Sequence, residues 1–367
     1  MLAIGLLDPK PGELICDLCA SPGGKSTAIL EALGGSGGVL ANEAIRSRTD
    51  ALRLNLARQG ASRWVVSSMD PEDLADLMEG TCDAVLADVP CSGQSLVGSG
   101  KQKVSCFDPK LVAHAAGRQG RILASAARLL RPGGRLVYST CTFSWQENED
   151  RVMGFLAGNP EFELAPDERL TGWQSPSPAP EGCYRLWPDK DRSAGAFAAR
   201  LMKRGGSVPG RPAVFQRQAR GRRVGRRAET GGNPPWQEWG MWRGEVELVS
   251  FERYRVAAIP ADMPAALRGV IEAGQAAGLP EAAQQFGKVW QPAYGLAMRR
   301  DGAFSASQAV DLSDDAARAY LRGESVRTGL RGWAVATWRG WPLGWLHGSG
   351  HAASNKLDKA ARLNSVQ

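Results

Sequence analysis

Two cysteines each follow a short apolar segment of the kind that forms a buried β-strand. Residues 83–88 precede Cys91, and residues 136–139 precede Cys141. In an open parallel α/β sheet, ligands bind in the crevice beyond the carboxyl ends of the strands, so a thiol there faces a cleft. A free cysteine is more commonly a small buried hydrophobic residue. A second thiol at the end of another strand favours a catalytic role over a structural one. We therefore predict that Cys141 is a nucleophile and that Cys91 lies on the same rim of the sheet.

The other cysteines indicate neither a metal site nor disulfides. The chain has seven cysteines, an odd number without framework spacing, which favours thiols in a reducing cytoplasm. Cys16 and Cys19 have zinc-ligand spacing, but no second pair or histidine completes a site, and both are assigned to the first strand. We therefore expect no metal. No catalytic role is expected for Cys82, Cys106 or Cys183.

A glycine turn follows the first predicted strand, residues 13–19. This turn, residues 20–24, leads into a helix from Lys25 to about Leu33. Backbone amides and the helix dipole at such a helix start favour a carboxylate or a phosphate. The pattern predicts a nucleotide-binding corner, although two adjacent glycines alone are weak support.

Two carboxylates follow the next two predicted strands, residues 38–42 and 64–67. Glu43 lies roughly 20 residues beyond the glycine turn, where such folds bind ribose hydroxyls. It could equally be an acid that favours a helix dipole. Asp70 follows the third strand and could simply begin a helix at Pro71.

Strands and helices alternate over the first part of the chain. Helices are predicted at 47–58, 115–130 and 148–157, and a late strand, expected to be antiparallel, at 195–202. The alternation predicts a doubly wound, mostly parallel α/β domain.

Charge and hydropathy restrict the class of protein. The chain of 367 residues has 43% hydrophobic residues and a net charge of +7, which suits two domains or three small ones. No apolar run could span a bilayer and the start lacks a charged signal-peptide head, so we expect a soluble cytoplasmic protein.

Residues 205–233 hold seven arginines and one acid, Glu229, a charge of +6. This composition favours a flexible arm that binds nucleic-acid phosphate over a merely soluble linker.

Three ordered motifs closely resemble the RNA cytosine-C5 methyltransferases of the Nol/Nop/Sun family. They are residues 17–25, 88–93 and 138–142, within a match over about residues 5–203. The resemblance implies a class I, Rossmann-like methyltransferase domain that binds S-adenosylmethionine. It implies that Cys141 is the nucleophile, that Cys91 helps to release the product and that Asp88 faces both cofactor and base. The cofactor-binding residues that it implies are Cys19, Ala20, Ser21, Pro22, Gly23, Gly24, Lys25, Glu43, Asp70 and Asp88.

The chemistry explains why such a family needs these residue types. C5 of cytosine is a poor nucleophile until a thiolate adds at C6 and turns the ring into an enamine. Asp88 can stabilise the adduct at N3 or N4. The attacking thiol must be partly ionised, and Lys25 or a nearby arginine could supply the positive field. The base must be unstacked, so we expect a single-stranded, loop or flipped nucleotide.

The carboxyl-terminal part differs in composition. Residues 234–367 hold eight of the twelve tryptophans, most of them expected in a core. A hairpin of 332–337 and 341–346 and a helix over 314–323 are predicted. The segments 320–324, 344–345 and 355–356 look like the PUA-like RNA-binding extension of bacterial ribosomal-RNA members of the family. The residues expected either to contact RNA or to form a solvated basic face are Arg331, Arg339, Lys356, Lys359 and the loop 98–103.

These observations predict a methyltransferase domain at 1–204, an arginine-rich linker at 205–233 and an RNA-binding domain at 234–367. We expect a monomer without a membrane partner that methylates cytosine C5 in RNA, with ribosomal RNA as the first expected substrate and transfer RNA as the rival. A non-catalytic RNA-binding or ribosome-assembly protein is the alternative from another class, and two thiols on one rim argue against it. Family members usually carry an RNA-binding domain before the first strand. The chain is therefore either a natural short form or begins at an internal methionine.

Overall fold

A computed structural model of the chain describes residues 2–205, 233–252 and 254–363. These residues form two compact units. The first comprises residues 2–46, 67–205 and 264–270, and the second comprises residues 47–66, 233–252, 254–263 and 271–363. Nearly all of the predicted arginine-rich linker, residues 206–232, lies outside the described residues. The predicted domain boundaries stay a prediction.

Helices and strands alternate through residues 2–205, as predicted. In chain order they are α1 Leu2–Leu7, β1 Leu14–Asp17, α2 Gly24–Leu33, β2 Gly38–Asn42, α3 Thr49–Gln59, β3 Trp64–Ser67, α4 Pro71–Met78, β4 Cys82–Asp88, α5 Pro109–Leu129, β5 Leu130–Thr140, α6 Glu149–Gly158, β6 Phe162–Leu164, β7 Cys183–Leu186, α7 Pro188–Asp191 and β8 Ala196–Lys203.

The first unit is built on a mixed sheet in the order β2-β1-β4-β5-β8-β6, with β7 also paired to β8. Strand β1 runs parallel to β2 and β4, and β4 runs parallel to β5. Strand β8 is antiparallel to β5, as predicted for the late strand. Strands β1 and β2 are buried along their whole length, which is typical of parallel strands covered on both faces. The predicted α/β fold is therefore confirmed, and the carboxyl ends of β1, β2, β4 and β5 meet at one edge.

Some predicted boundaries were wrong for local reasons. Helix α5 begins at Pro109 and not at Ala115, because the Asp108 side chain accepts a hydrogen bond from the Lys110 amide and Pro109 suits the first helical turn. Strand β1 ends at Asp17, so Cys19 lies in the following loop and not in the strand. Cys183, for which no strand was predicted, begins β7 and is buried there.

The second part of the described chain is rich in short strands. In chain order the elements are α8 Trp236–Trp239, β9 Gly240–Trp242, β10 Val246–Phe251, β11 Arg255–Pro260, α9 Ala265–Glu272, β12 Ala276–Gly278, β13 Glu281–Phe286, β14 Val289–Pro292, α10 Tyr294–Met298, β15 Phe304–Ala306, β16 Ala309–Asp311, α11 Asp314–Leu321, β17 Val326–Arg327, β18 Arg331–Trp338, β19 Trp341–Ser349 and β20 Ala352–Asn355.

The second unit contains a sheet in the order β10-β11-β13-β14 and a curled sheet in the order β16-β18-β19-β20-β17. The predicted hairpin is confirmed as β18 and β19, which are antiparallel around Arg339 and Gly340, both with positive φ. Three tryptophans pack edge to face in the core of this unit. The ring centroid of Trp333 lies 6.4 Å from that of Trp239 and 6.2 Å from that of Trp345. Within the described residues, no helix has the length and apolar character to cross a bilayer.

Candidate active site

The predicted site residues gather in the first unit, at the edge where its parallel strands end. The turn after β1 contains Cys19 to Lys25, and Glu43 directly follows β2. Asp88 is the last residue of β4, with Cys91 three positions further, and Cys141 directly follows β5. Because these strands are parallel, their carboxyl ends bring segments that are far apart in sequence to one cleft.

The turn from β1 to α2 has the backbone of a ligand-binding corner. Gly23 adopts φ 111°, a left-handed conformation that favours glycine. A Cβ atom added to Gly24 would meet nothing within 4 Å, so the space in front of the α2 amino terminus is open. The Ala20 amide donates to the Asn42 carbonyl at 2.8 Å, which ties this turn to the end of β2.

Asp17 is a buried carboxylate with one unsatisfied oxygen at this corner. Its Oδ2 accepts a hydrogen bond from Ser26 Oγ at 2.6 Å, whereas Oδ1 has no partner among the described residues. Burial raises the pKa of Asp17 to about 7. The negative charge of Asp88 raises this pKa as well, whereas the hydrogen bond from Ser26 lowers it. A donor or cation from a ligand would satisfy Oδ1. S-adenosylmethionine carries such groups in its ammonium and sulfonium, so the residues present fit this cofactor.

Glu43 and Asp70 have different surroundings. Glu43 is 5% exposed, and its Oε1 accepts from the Ile45 amide at 3.0 Å. Asp70 is exposed and caps α4, because its Oδ1 accepts from the Glu72 amide at 2.9 Å. The helix-start interpretation of Asp70 is therefore confirmed, while contact of either carboxylate with a cofactor stays a prediction.

A lysine and a carboxylate pair beside the thiols. Lys25 Nζ lies 2.6 Å from Asp88 Oδ2, and Ser139 Oγ donates to Asp88 Oδ1 at 2.5 Å. Both side chains of the ion pair are 31% exposed, so solvent and ligands can reach them. Strands β4 and β5 are in register at Asp88 and Ser139, which fixes the position of the carboxylate.

The two predicted thiols are in contact. The Sγ atoms of Cys91 and Cys141 are 3.3 Å apart, and both residues are free and partly exposed. The hydrogen bond from Cys91 lowers the pKa of Cys141, and the positive charge of Lys25 lowers it further. Burial and the negative charge of Asp88 oppose this shift. The same hydrogen bond, together with burial, raises the pKa of Cys91. These shifts favour Cys141 as the thiol that ionises first and Cys91 as the one that keeps its proton. The described residues contain no group of three His, Cys, Asp or Glu that could hold a metal.

The Lys25 charge predicts a pH effect. Cys141 is the nucleophile predicted from the sequence, and the reactive form of a thiol nucleophile is the thiolate. On that prediction, activity should rise with pH through the lowered pKa of this thiol. The substitution Lys25→Gln removes a charge that lowers that pKa and leaves the Asp88 charge that raises it. The rising limb of the pH–rate profile should therefore move to higher pH. The profile is measured at saturating cofactor, with the exposed Lys110→Gln as control, and an unchanged limb would contradict the assigned role of Lys25.

Glu147 connects the two cysteine loops. It is fully buried, and its carboxylate accepts from the Ser92 amide at 2.9 Å, from Ser92 Oγ and from Gln119 Nε2 at 2.8 Å. It also accepts from Thr142 Oγ1 at 3.3 Å. Ser92 directly follows Cys91 and Thr142 directly follows Cys141, so one carboxylate binds the neighbours of both thiols.

A second buried group supports the loop after Cys141. Arg185 and Glu149 form an ion pair in which the side chains are 4% and 0% exposed. Arg185 also donates to the Phe143 carbonyl at 3.1 Å. Asn148 Nδ2 donates to the Thr142 carbonyl at 3.0 Å. The loop is therefore held from β7 and from the start of α6.

Sequence reasoning missed this supporting layer. Asn148 and Glu149 were assigned only to the start of a helix, Glu147 had no predicted role, and Arg185 lay in a segment without a predicted strand. The local sequence gives little signal, because Glu147, Asn148 and Glu149 belong to a run of polar residues, 146–151, of the kind that also forms a solvated helix start. Their partners Ser92, Gln119 and Arg185 are too distant in sequence for spacing to reveal them.

Comparison with known proteins agrees with this geometry. Residues 4–202 match the family model described as 16S rRNA methyltransferase RsmB/F, and residues 307–363 match the methyltransferase RsmF PUA domain. The chain is 34% identical over 197 residues to the ribosomal RNA small subunit methyltransferase F of Klebsiella pneumoniae (strain 342), covering 53% of this chain and 41% of the relative. It thus spans less than half the length of that curated relative.

Two solved structures are similar to this chain over about half of its length. The crystal structure of PH0851 matches with a TM-score of 0.52 and 34% identity, over 55% of this chain and 45% of that chain. NSun6 from Pyrococcus horikoshii, solved with the cofactor analogue SFG, matches with a TM-score of 0.50 and 30% identity, over 55% of this chain and 50% of that chain. The predicted cofactor, S-adenosylmethionine, and the predicted PUA-type extension are confirmed. The chain belongs to the 16S rRNA methyltransferase RsmB/F family.

Proposed function

We propose that this chain methylates C5 of a cytosine in RNA, with ribosomal RNA as the substrate class. The observation that carries the proposal is the pair of thiols 3.3 Å apart, next to the Lys25–Asp88 pair and the cofactor corner. A methyltransferase that acts on oxygen or on an exocyclic nitrogen needs no thiol nucleophile, whereas C5 of cytosine needs covalent activation at C6. The family match and the PUA-type extension support RNA as the substrate.

The reaction begins with Cys141. Its thiolate adds to C6 of cytosine, which forms an S–C6 bond and makes C5 nucleophilic. Asp88 accepts hydrogen bonds from Lys25 and Ser139, and these position its carboxylate to accept a further hydrogen bond from the exocyclic N4 amino group, which orients the base beside Cys141. Bound S-adenosylmethionine supplies the methyl group that C5 takes. The turn of Cys19 to Lys25, together with Asp17, Glu43 and Asp70, would hold this cofactor.

Product release uses Cys91. The main cause of its raised pKa is the hydrogen bond with Cys141. Once Cys141 is a thioether it no longer stabilises that proton, so Cys91 can release it to solvent and become a thiolate. Its thiolate then removes the C5 proton as the S–C6 bond breaks, which restores the ring double bond and frees Cys141. The step yields 5-methylcytosine and leaves the proton on Cys91.

A methyl-transfer assay tests the proposal. The protein is incubated with S-adenosylmethionine labelled in the methyl group and with unmodified small-subunit ribosomal RNA or a transfer-RNA pool, and the RNA is digested to nucleosides. We expect label in 5-methylcytidine from ribosomal RNA. Label in transfer RNA alone would overturn the substrate class, and label in another nucleoside would overturn the C5 chemistry. No label in either RNA, with cofactor binding intact by calorimetry, would favour a non-catalytic RNA-binding protein.

A further inference from the structure

The second unit contains a pocket with no part in the proposed chemistry. It has a volume of about 970 Å³, within the range of small-molecule and cofactor sites. Its wall combines aromatic, amide and cationic side chains: Gln285, Lys288, Trp290, Trp333, His347 and Lys356. Trp333 and Gln285 are buried at 9% and 5% exposure, whereas His347 and both lysines are exposed. The pocket therefore has a buried aromatic floor and a basic rim.

The floor and the rim are in contact with each other. The centroid of the His347 ring lies 4.8 Å from that of Trp333, and Lys356 Nζ lies 5.8 Å from the Trp333 centroid. Indole and imidazole faces are the surfaces on which unpaired bases stack. The two lysines outweigh the acid of the rim, Glu238, so the opening favours an anion.

A buried amide at the pocket wall lacks a partner. Gln285 Oε1 makes no hydrogen bond within the described part of the chain. A buried polar atom without a partner costs free energy, which a donor from a ligand would recover. The exocyclic amino group of adenine, cytosine or guanine is such a donor.

We propose that this pocket binds one unpaired nucleotide of RNA, with its base against the partly exposed Trp290 and its phosphate toward Lys288 and Lys356. The inference rests on the proposed function, since it gives an RNA methyltransferase a second contact with its substrate outside the thiol site. An apolar peptide would leave the lysines and the Gln285 amide without partners, which makes it the poorer occupant. The aromatic wall matches the base of a nucleotide, and the lysines of the rim match its phosphate.

Binding of short oligoribonucleotides to the full chain tests this inference. Fluorescence anisotropy is measured with labelled hexamers of adenylate, cytidylate and uridylate, with hexamers that carry one abasic position, and with adenosine monophosphate as competitor. The variants are Trp290→Ala and Lys356→Gln, because Trp333 also packs in the core and could not be changed without affecting folding. The matched controls are Trp341→Ala, which removes a tryptophan that is 61% exposed outside the pocket, and Lys10→Gln, which removes an exposed lysine of the first unit.

We expect Trp290→Ala and Lys356→Gln each to weaken hexamer binding about tenfold, while both controls bind like wild type. Adenylate and cytidylate should bind more tightly than uridylate, which lacks an exocyclic amino group. If adenosine monophosphate competes at the affinity of the hexamer, the pocket is a free-nucleotide site and the RNA assignment is overturned. Equal losses in the controls would assign binding to a general basic face and overturn the pocket.

A crosslink separates this inference from the proposed function. A hexamer with one 4-thiouridine is irradiated on the protein, and the attached peptides are identified by mass spectrometry. Attachment within residues 281–291 or 333–356 supports the pocket even if no RNA is methylated. Methylation of RNA with attachment only elsewhere would overturn the pocket and leave the proposed function intact.

Discussion

Replacing Cys141 with alanine should lower methyl transfer at least about a thousandfold, because C5 of cytosine then has no covalent activation. Replacing Cys91 with alanine should give a different defect. The S–C6 bond still forms, but no nearby thiolate removes the C5 proton, so the methylated adduct should accumulate. Loss of the Cys91 hydrogen bond also raises the pKa of Cys141. The variant should therefore need a higher pH than wild type to form the Cys141 thiolate and hence the adduct.

The two variants are distinguished on a denaturing gel with labelled RNA. Cys91→Ala should give a slow-migrating protein–RNA band, whereas Cys141→Ala and the double variant should give none. The buried Cys183→Ala serves as the matched control and should behave like wild type. An adduct that persists in the double variant would exclude Cys141 as the nucleophile.

Replacing Glu147 with alanine should cost about 3 kcal/mol of the free energy of unfolding and lower methyl transfer about a hundredfold. The stability loss follows because the Ser92 amide and the Gln119 amide lose their shared buried acceptor. The rate loss follows because Ser92 and Thr142 then keep only the 2.8 Å bond between their own hydroxyls and hold Cys91 less firmly against Cys141. Glu147 is thus a positioning residue, which touches the neighbours of the thiols and not the substrate.

Thiol reactivity separates positioning from a general loss of structure. Alkylation of Cys141 is followed against pH well below the unfolding temperature, alongside urea unfolding and calorimetry of cofactor binding. We expect the apparent pKa of Cys141 to rise, since its hydrogen bond from Cys91 is weakened, while cofactor affinity changes little. The exposed Glu161→Ala is the control and should leave all three measurements as in wild type. An unchanged Cys141 pKa with the same loss of stability would reduce Glu147 to a structural role.

The fold could be predicted because its signals are local. Apolar runs at 38–42, 64–67 and 83–88 gave strands that the structure has within one residue, and the glycine turn gave the start of α2. Parallel topology then predicted that Cys91 and Cys141 would lie on one rim. Their contact was not predicted, because it depends on β4 and β5 being neighbours in the sheet.

The remaining features depend on partners that are distant in sequence. Glu147 is recognisable only once Ser92 and Gln119 are known to reach it, and the ion pair of Arg185 with Glu149 joins β7 to α6. The start of α5 was misplaced because the capping Asp108 lies outside the apolar pattern that identified the helix. The pocket of the second unit is lined by residues from 233 to 356, and no periodicity brings these together.

The most direct test of the central claim is a mass measurement of the covalent intermediate. Wild-type protein is incubated with S-adenosylmethionine and small-subunit ribosomal RNA that contains 5-fluorocytidine. The fluorine replaces the C5 proton, so release cannot occur and the adduct is trapped. We predict a methylated 5-fluorocytidine attached to the peptide that contains Cys141. Attachment to Cys91 instead, or methylated RNA without any adduct, would contradict the two-thiol mechanism.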